Sequence, residues 1–249
     1  MNSIFFNDKA HCAKKQLYFA VFFPLFVLVA LGFDSVLFKE NYFDARQITN
    51  LLVIIYFSAF FWFSNAYLRK LMFVMVFLSY IGELIFSTIL GMYDYRTDAI
   101  PLYVPVGHAV VYATGFVFTE TNWAITKGKF LKKYFGIGFL LLFLSVVIFL
   151  NDIFTLIFGV FFFLLLKRKK WQNLYFFIAL CVIYTELVGT YFQCWIWKPK
   201  TFGVIPAVNP PMGAVSIYIG GDVLLVKIVN KWKFKENKNL IEGDVKNQC

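Results

Sequence analysis

Long apolar runs govern what this chain can fold into. Eight of them, at about 17–37, 48–68, 71–92, 101–119, 133–150, 153–166, 172–195 and 210–229, are separated by short polar breaks. A helix crossing a ~30 Å hydrocarbon core needs about 20 mostly apolar residues. Backbone at that depth has no water to satisfy its N–H and C=O groups, so helices are the simplest solution. The runs predict an all-α, polytopic membrane helix bundle of about eight transmembrane helices. Only 15% of the 249 residues are charged, against 60% hydrophobic, which excludes an ordinary soluble domain.

Asn151-Asp152 is the one polar break within 133–166. An unbroken helix there would reach roughly 50 Å at ~1.5 Å per residue, so a tight hairpin is expected. Charge placement agrees with eight crossings. When the N-terminus and every second loop share a face, 19 of the 24 Lys and Arg lie together, from Lys9, Lys14 and Lys15 through Lys167 to Lys170 and on to the tail. The other face keeps Lys39, Arg46, Arg96, Lys198 and Lys200, with most loop acids, among them Asp34, Asp44 and Asp98. The positive-inside rule then sets both termini in the cytoplasm of a cell membrane, plasma or inner. The net charge of +10 is explained by that face, and no nucleic-acid partner is expected. The first run is too long for a signal-peptide core and is expected to be a retained helix.

A repeat organises the chain further. Glu83 and Ser87 are matched by Glu186 and Thr190, and Tyr93-Asp94-Tyr95 by Trp195-Ile196-Trp197. Ile100-Pro101 is matched by Ile205-Pro206, and Pro105-Val106-Gly107 with Tyr112 by Pro211-Met212-Gly213 with Tyr218. This predicts two parallel four-helix repeats, 17–123 and 124–229, between a cytoplasmic tail (1–16) and a basic cytoplasmic tail (230–249). Four crossings return the chain to its starting side, so the halves share orientation and would be related by an axis along the membrane normal. His108 and Asp222 break the match, facing Ala214 and Phe116 in the other copy.

Carboxyls inside apolar helices are costly and face a partner or a cavity. Glu83, Glu186, Asp222 and His108 are therefore the candidate catalytic groups, with structural hydrogen bonding as the rival role. Ser87 and Thr190, one turn on, are placed to bond the two glutamates. The proline-broken stretches 101–105 and 209–213 point to a pocket, because irregular backbone at depth lines cavities or is buried in protein. Tyr95, Tyr112, Trp197, Asn209 and Tyr218 are the candidate substrate contacts. The aromatic pairs are also expected in the interfacial belt, and Gly220-Gly221 at a close helix contact. Cys12, Cys181, Cys194 and Cys249 are scattered, and His11 lies in the tail away from His108. No metal site and no cofactor is predicted.

An aromatic-x-aromatic pair followed some ten residues later by a proline-bearing span start, in tandem, resembles the membrane-integral lycopene cyclase domain and carotenoid-hydratase families over about 83–112 and 186–218, and Glu-x-x-x-Ser/Thr ahead of Tyr-x-Tyr or Trp-x-Trp resembles the carotenoid hydratases. The resemblance implies an isoprenoid substrate and acid–base chemistry of the cyclase, hydratase or isomerase type. The cyclase pattern has two consecutive acids after its proline. Val106-Gly107 and Met212-Gly213 stand there in this chain, so those acids are not carried over. The expected function is an integral membrane enzyme acting on an apolar lipid or isoprenoid in an intramembrane pocket. The alternatives are a proton-coupled transporter and a non-catalytic assembly protein. A retinal photoreceptor is excluded by the position of Lys227 at the end of the last run.

Overall fold

The backbone of residues 2–97, 99–169 and 172–246 is described by a computed structural model, with side chains given between 14 and 232 of that set. His11, Cys12, Lys9, Asp98, Lys170, Cys249 and the lysines beyond Trp232 lie outside the described side chains. Helices dominate. The first half holds α1 (Asn2–Phe33), the short α2 (Val36–Asn41), α3 (Arg46–Trp62), α4 (Ala66–Glu83) and α5 (Tyr103–Thr119). The second holds the short α6 (Asn122–Thr126), α7 (Gly128–Leu150), α8 (Ile153–Arg168), α9 (Asn173–Tyr191) and α10 (Val215–Lys246). Two minimal antiparallel pairs complete it: β1 (Tyr93–Tyr95) with β2 (Trp195–Trp197), and β3 (Lys200–Thr201) with β4 (Ile205–Pro206).

Among the described residues, five helical segments are long and apolar enough to cross a membrane: Lys14–Phe33, Ala66–Ile89, Gly128–Leu150, Asn173–Tyr191 and Met212–Trp232. The helices α3, α5 and α8 are shorter, at 17, 17 and 16 residues, so by length alone the eight predicted crossings reduce to five. Val21, Phe22, Phe73, Phe77, Leu141 and Phe161 are all about half exposed on the outer surface. A face of that kind suits lipid rather than water, which fits a multi-pass membrane protein.

The few polar residues explain where the helices begin. Asn65 accepts from Leu68 N at the start of α4, and Asp152 accepts from Thr155 N at the start of α8. Each satisfies an orphan donor of a first turn. Asn151 adopts a left-handed conformation (φ 53°) that ends α7, which produces the sharp break between α7 and α8. One departure from expectation is the continuation of α4 as a π-helical segment, Leu84–Ile89. Such wide turns are rare and concentrate at functional sites.

The central helices are α5 and α9, which are buried on most of their faces. They meet closely at Gly115, where a Cβ would stand 2.9 Å from the backbone nitrogen of Ile178. Around them, α4 packs against α5 and α10, and α9 packs against the same two helices. At one end of the bundle, Gln16 Nε2 donates to the Phe63 carbonyl (3.0 Å) and Lys70 Nζ lies 5.4 Å from the Trp232 ring. That end gathers basic residues.

The opposite end is tied by acids. Arg96 donates to Asp34 (2.5 Å) and Asp44 (2.8 Å), and the Tyr103 hydroxyl donates to Asp34 (2.8 Å). The Arg96 hydrogen bond holds the Asp44 carboxyl well below the usual carboxylate range, against a smaller opposing effect of partial burial. A lowered folded pKa gives stability that is fully present above the unfolded value of about 4 and is lost as pH falls toward the folded one. The difference in melting temperature between the wild type and Asp44→Asn should therefore stay constant from neutral pH to about 5 and close progressively below about 4. A difference that persists unchanged in acid would exclude this ion pair as its source.

Candidate active site

Two carboxyl centres meet in one cavity between the halves. Glu83, the last residue of α4, accepts on Oε2 from the Tyr93 hydroxyl (2.6 Å) and the Tyr95 hydroxyl (2.5 Å). Its Oε1 lies 3.0 Å from His108 Nε2 on α5. Glu186 on α9 accepts on Oε2 from the indole N–H groups of Trp195 (2.9 Å) and Trp197 (3.0 Å). Its Oε1 accepts from the Tyr218 hydroxyl of α10 (3.1 Å). Each carboxyl thus takes two bonds from its own aromatic-x-aromatic strand and one from the following helix. Buried carboxyls are tolerated in an apolar interior on condition that their oxygens are satisfied in this way.

The pairing of β1 with β2 places these donors. Tyr93 stands opposite Trp197 and Tyr95 opposite Trp195, about a centre at Asp94 and Ile196. In a strand, alternate residues share a face, so the outer members of both triplets turn to the carboxyls while Asp94 and Ile196 turn outward. Gly189 is required by the same arrangement, since a Cβ there would collide with the Trp195 indole. The aromatic pairs are therefore buried donors, and the expectation of an interfacial belt is corrected. Burial and the nearby Glu83 carboxylate raise the Tyr93 and Tyr95 phenols far above their ordinary value, so both remain protonated donors.

The two centres touch through an aromatic stack. The His108 ring lies on the Tyr218 ring, with centroids 4.9 Å apart and planes 10° from parallel. His108 reaches Glu83 and Tyr218 reaches Glu186, so a ring stack joins two separate hydrogen-bonded centres. They differ in what they can move. Indole N–H groups only donate, which commits Glu186 to accepting on Oε2. The Glu83–His108 contact is a carboxyl facing an imidazole, the pairing in which a proton can sit on either partner.

The cavity beside them has a volume of about 710 Å³ and is lined chiefly by apolar side chains from α1, α4, α5, α8, α9 and α10. Glu83, His108, Glu186, Tyr95, Tyr112, Trp197 and Tyr218 all line it. Two predicted residues stand elsewhere. Asn209 is not among the lining residues; its side-chain oxygen accepts from the backbone N–H of Trp197 (3.0 Å), which anchors β2. Asp222 is fully buried behind the wall, accepting from the hydroxyls of Tyr112 (2.8 Å) and Tyr175 (2.7 Å).

Ser87 and Thr190 do not bond the carboxyls as expected. Ser87 Oγ donates to the Tyr93 carbonyl (3.2 Å), because the π-helical turn shifts it off the Glu83 face. Thr190 Oγ1 donates to the backbone carbonyl of Glu186 (2.7 Å). The residues that sequence reasoning left out of the site are Tyr93 and Trp195. Their alternation with Tyr95 and Trp197 is the signal that could have found them. Among the described residues, no group of three or more His, Cys, Asp and Glu side chains is arranged to hold a metal ion.

No protein-family model, curated protein or solved structure matches this chain.

Proposed function

We propose that this chain is an integral membrane enzyme that acts by acid–base chemistry on an apolar lipid or isoprenoid held in the cavity between its halves. The observation that carries the reading is the Glu83–His108 pair, one movable proton at the wall of an otherwise apolar chamber. His108 delivers that proton to a double bond, Glu83 balances the imidazolium, and Glu186 with Tyr218 removes a proton from the product side. The π faces of Tyr95 and Trp197 shield the intermediate cation. The donors already on Glu83 favour His108 as the group that gives the proton.

The same reading takes the molecule as eight spans in two parallel four-helix repeats, 17–123 and 124–229, with both termini cytoplasmic. Two features support it. The packing of α4 and α9 against the same pair, α5 and α10, is what exchange of the halves about one axis requires. The pairing of β1 with β2 about a central point is the second. Shorter helices such as α5 span where they are enclosed by neighbours rather than by lipid.

The test begins with mass spectrometry of the lipid that co-purifies with the protein, followed by turnover of that lipid in detergent. His108→Ala should remain inserted and folded while turnover falls by about 10²–10⁴-fold, the usual range for a general acid. A variant that turns over normally removes His108 from the chemistry. Proton-coupled flux in proteoliposomes, lost in Glu83→Gln, with no lipid conversion would instead establish a transporter.

A further inference from the structure

We infer that the cavity has a side entrance through the wall of the bundle at Gly220-Gly221, and that a lipid hydrocarbon chain passes through it from the bilayer. The inference rests on the proposed lipid substrate and adds its route. A residue that both lines a cavity and is exposed marks where the cavity reaches the surface. Ile81, Ile85, Phe161, Gly220 and Leu224 satisfy both conditions, with Gly221 partly exposed beside them. They come from α4 and its π-helical extension, from α8 and from α10, which packs against both α4 and α8. The opening is therefore lateral rather than at either end.

The glycines expose its construction. Gly220-Gly221 was expected at a close helix contact, yet a Cβ at either position would meet nothing within 4 Å. Glycine is costly in a helix interior, and no packed neighbour here requires it. What the pair does provide is a notch in α10 at the mouth of the cavity. The other rim residues are isoleucine, phenylalanine and leucine, so the rim offers no polar group to an ion or a sugar. It lies on the apolar surface that faces lipid, and it leads into an apolar chamber of a size that holds small ligands. A hydrocarbon chain is the occupant that fits every part of that path.

The entrance can be tested without turnover. Trp195 and Trp197 line the cavity; the other four tryptophans, Trp62, Trp123, Trp171 and Trp232, can be replaced by phenylalanine. In proteoliposomes of phosphatidylcholine brominated along its acyl chains, the two remaining indoles should be quenched relative to unbrominated lipid. Gly221→Phe and Gly220→Leu, each filling open space, should lose at least half of that quenching while melting at the temperature of the parent. Indoles that are not quenched in the open protein, or quenching unchanged in both plugged variants, would overturn the entrance. An enzyme that fails only in chemistry would still show the quenching, which separates this inference from the catalytic one.

Discussion

Glu83→Leu should destabilise the protein by about 3–5 kcal/mol, the cost of breaking a buried charged pair by removing one partner. The leucine strands three donors at once: the hydroxyls of Tyr93 and Tyr95, and Nε2 of His108. A buried donor without an acceptor costs about 1–3 kcal/mol by itself. β1 has little else to hold it, being three residues long and paired on one side with β2. Its loss should therefore loosen the strand pair as well as the carboxyl centre.

Glu83→Gln separates the two roles of this residue. Its amide oxygen still accepts from a tyrosine, so the thermal melt in detergent should fall by much less than for leucine. The proton shared with His108 is gone, and turnover should be abolished along with it. Glu83→Leu melting at the wild-type temperature would refute the hydrogen-bond account of this centre. Full activity in Glu83→Gln would refute the proton account alone. Adding Tyr93→Phe and Tyr95→Phe to the leucine variant should recover part of the lost stability, because two of the three stranded donors are then removed with their acceptor.

What the sequence made legible follows from the range of each interaction. The cost of a carboxyl in an apolar run is local, so Glu83, Glu186 and His108 were identifiable as cavity-facing groups. The pairing of Tyr93 with Trp197 joins segments about a hundred residues apart, and no local signal specifies it. A rule for regular α-helix misplaced Ser87, because the chain changes to π-helical winding after Glu83. Asn209 was misassigned for another reason: a polar side chain in a proline-rich stretch can serve a ligand or a neighbouring backbone equally well, and here it serves Trp197.

Asp222 is where the repeat breaks most informatively. The sequence marked it as unmatched, opposite Phe116, and placed it among catalytic candidates. It instead joins the halves, with Tyr112 of α5 and Tyr175 of α9 donating to its two oxygens. In the sequence Tyr112 follows Pro105-Val106-Gly107 as Tyr218 follows Pro211-Met212-Gly213, and Tyr218 is taken by Glu186. Tyr112 has no such use, since His108 occupies Glu83 Oε1 one turn earlier on α5. The aspartate gives that hydroxyl an acceptor. Asp222→Leu should then cost about 2–5 kcal/mol, through two stranded hydroxyls and an unfilled polar pocket. Asp222→Leu combined with Tyr112→Phe and Tyr175→Phe should melt close to wild type, because an apolar trio of similar shape leaves nothing unpaired. A triple variant no more stable than Asp222→Leu alone would mean that the aspartate acts through something other than these two tyrosines.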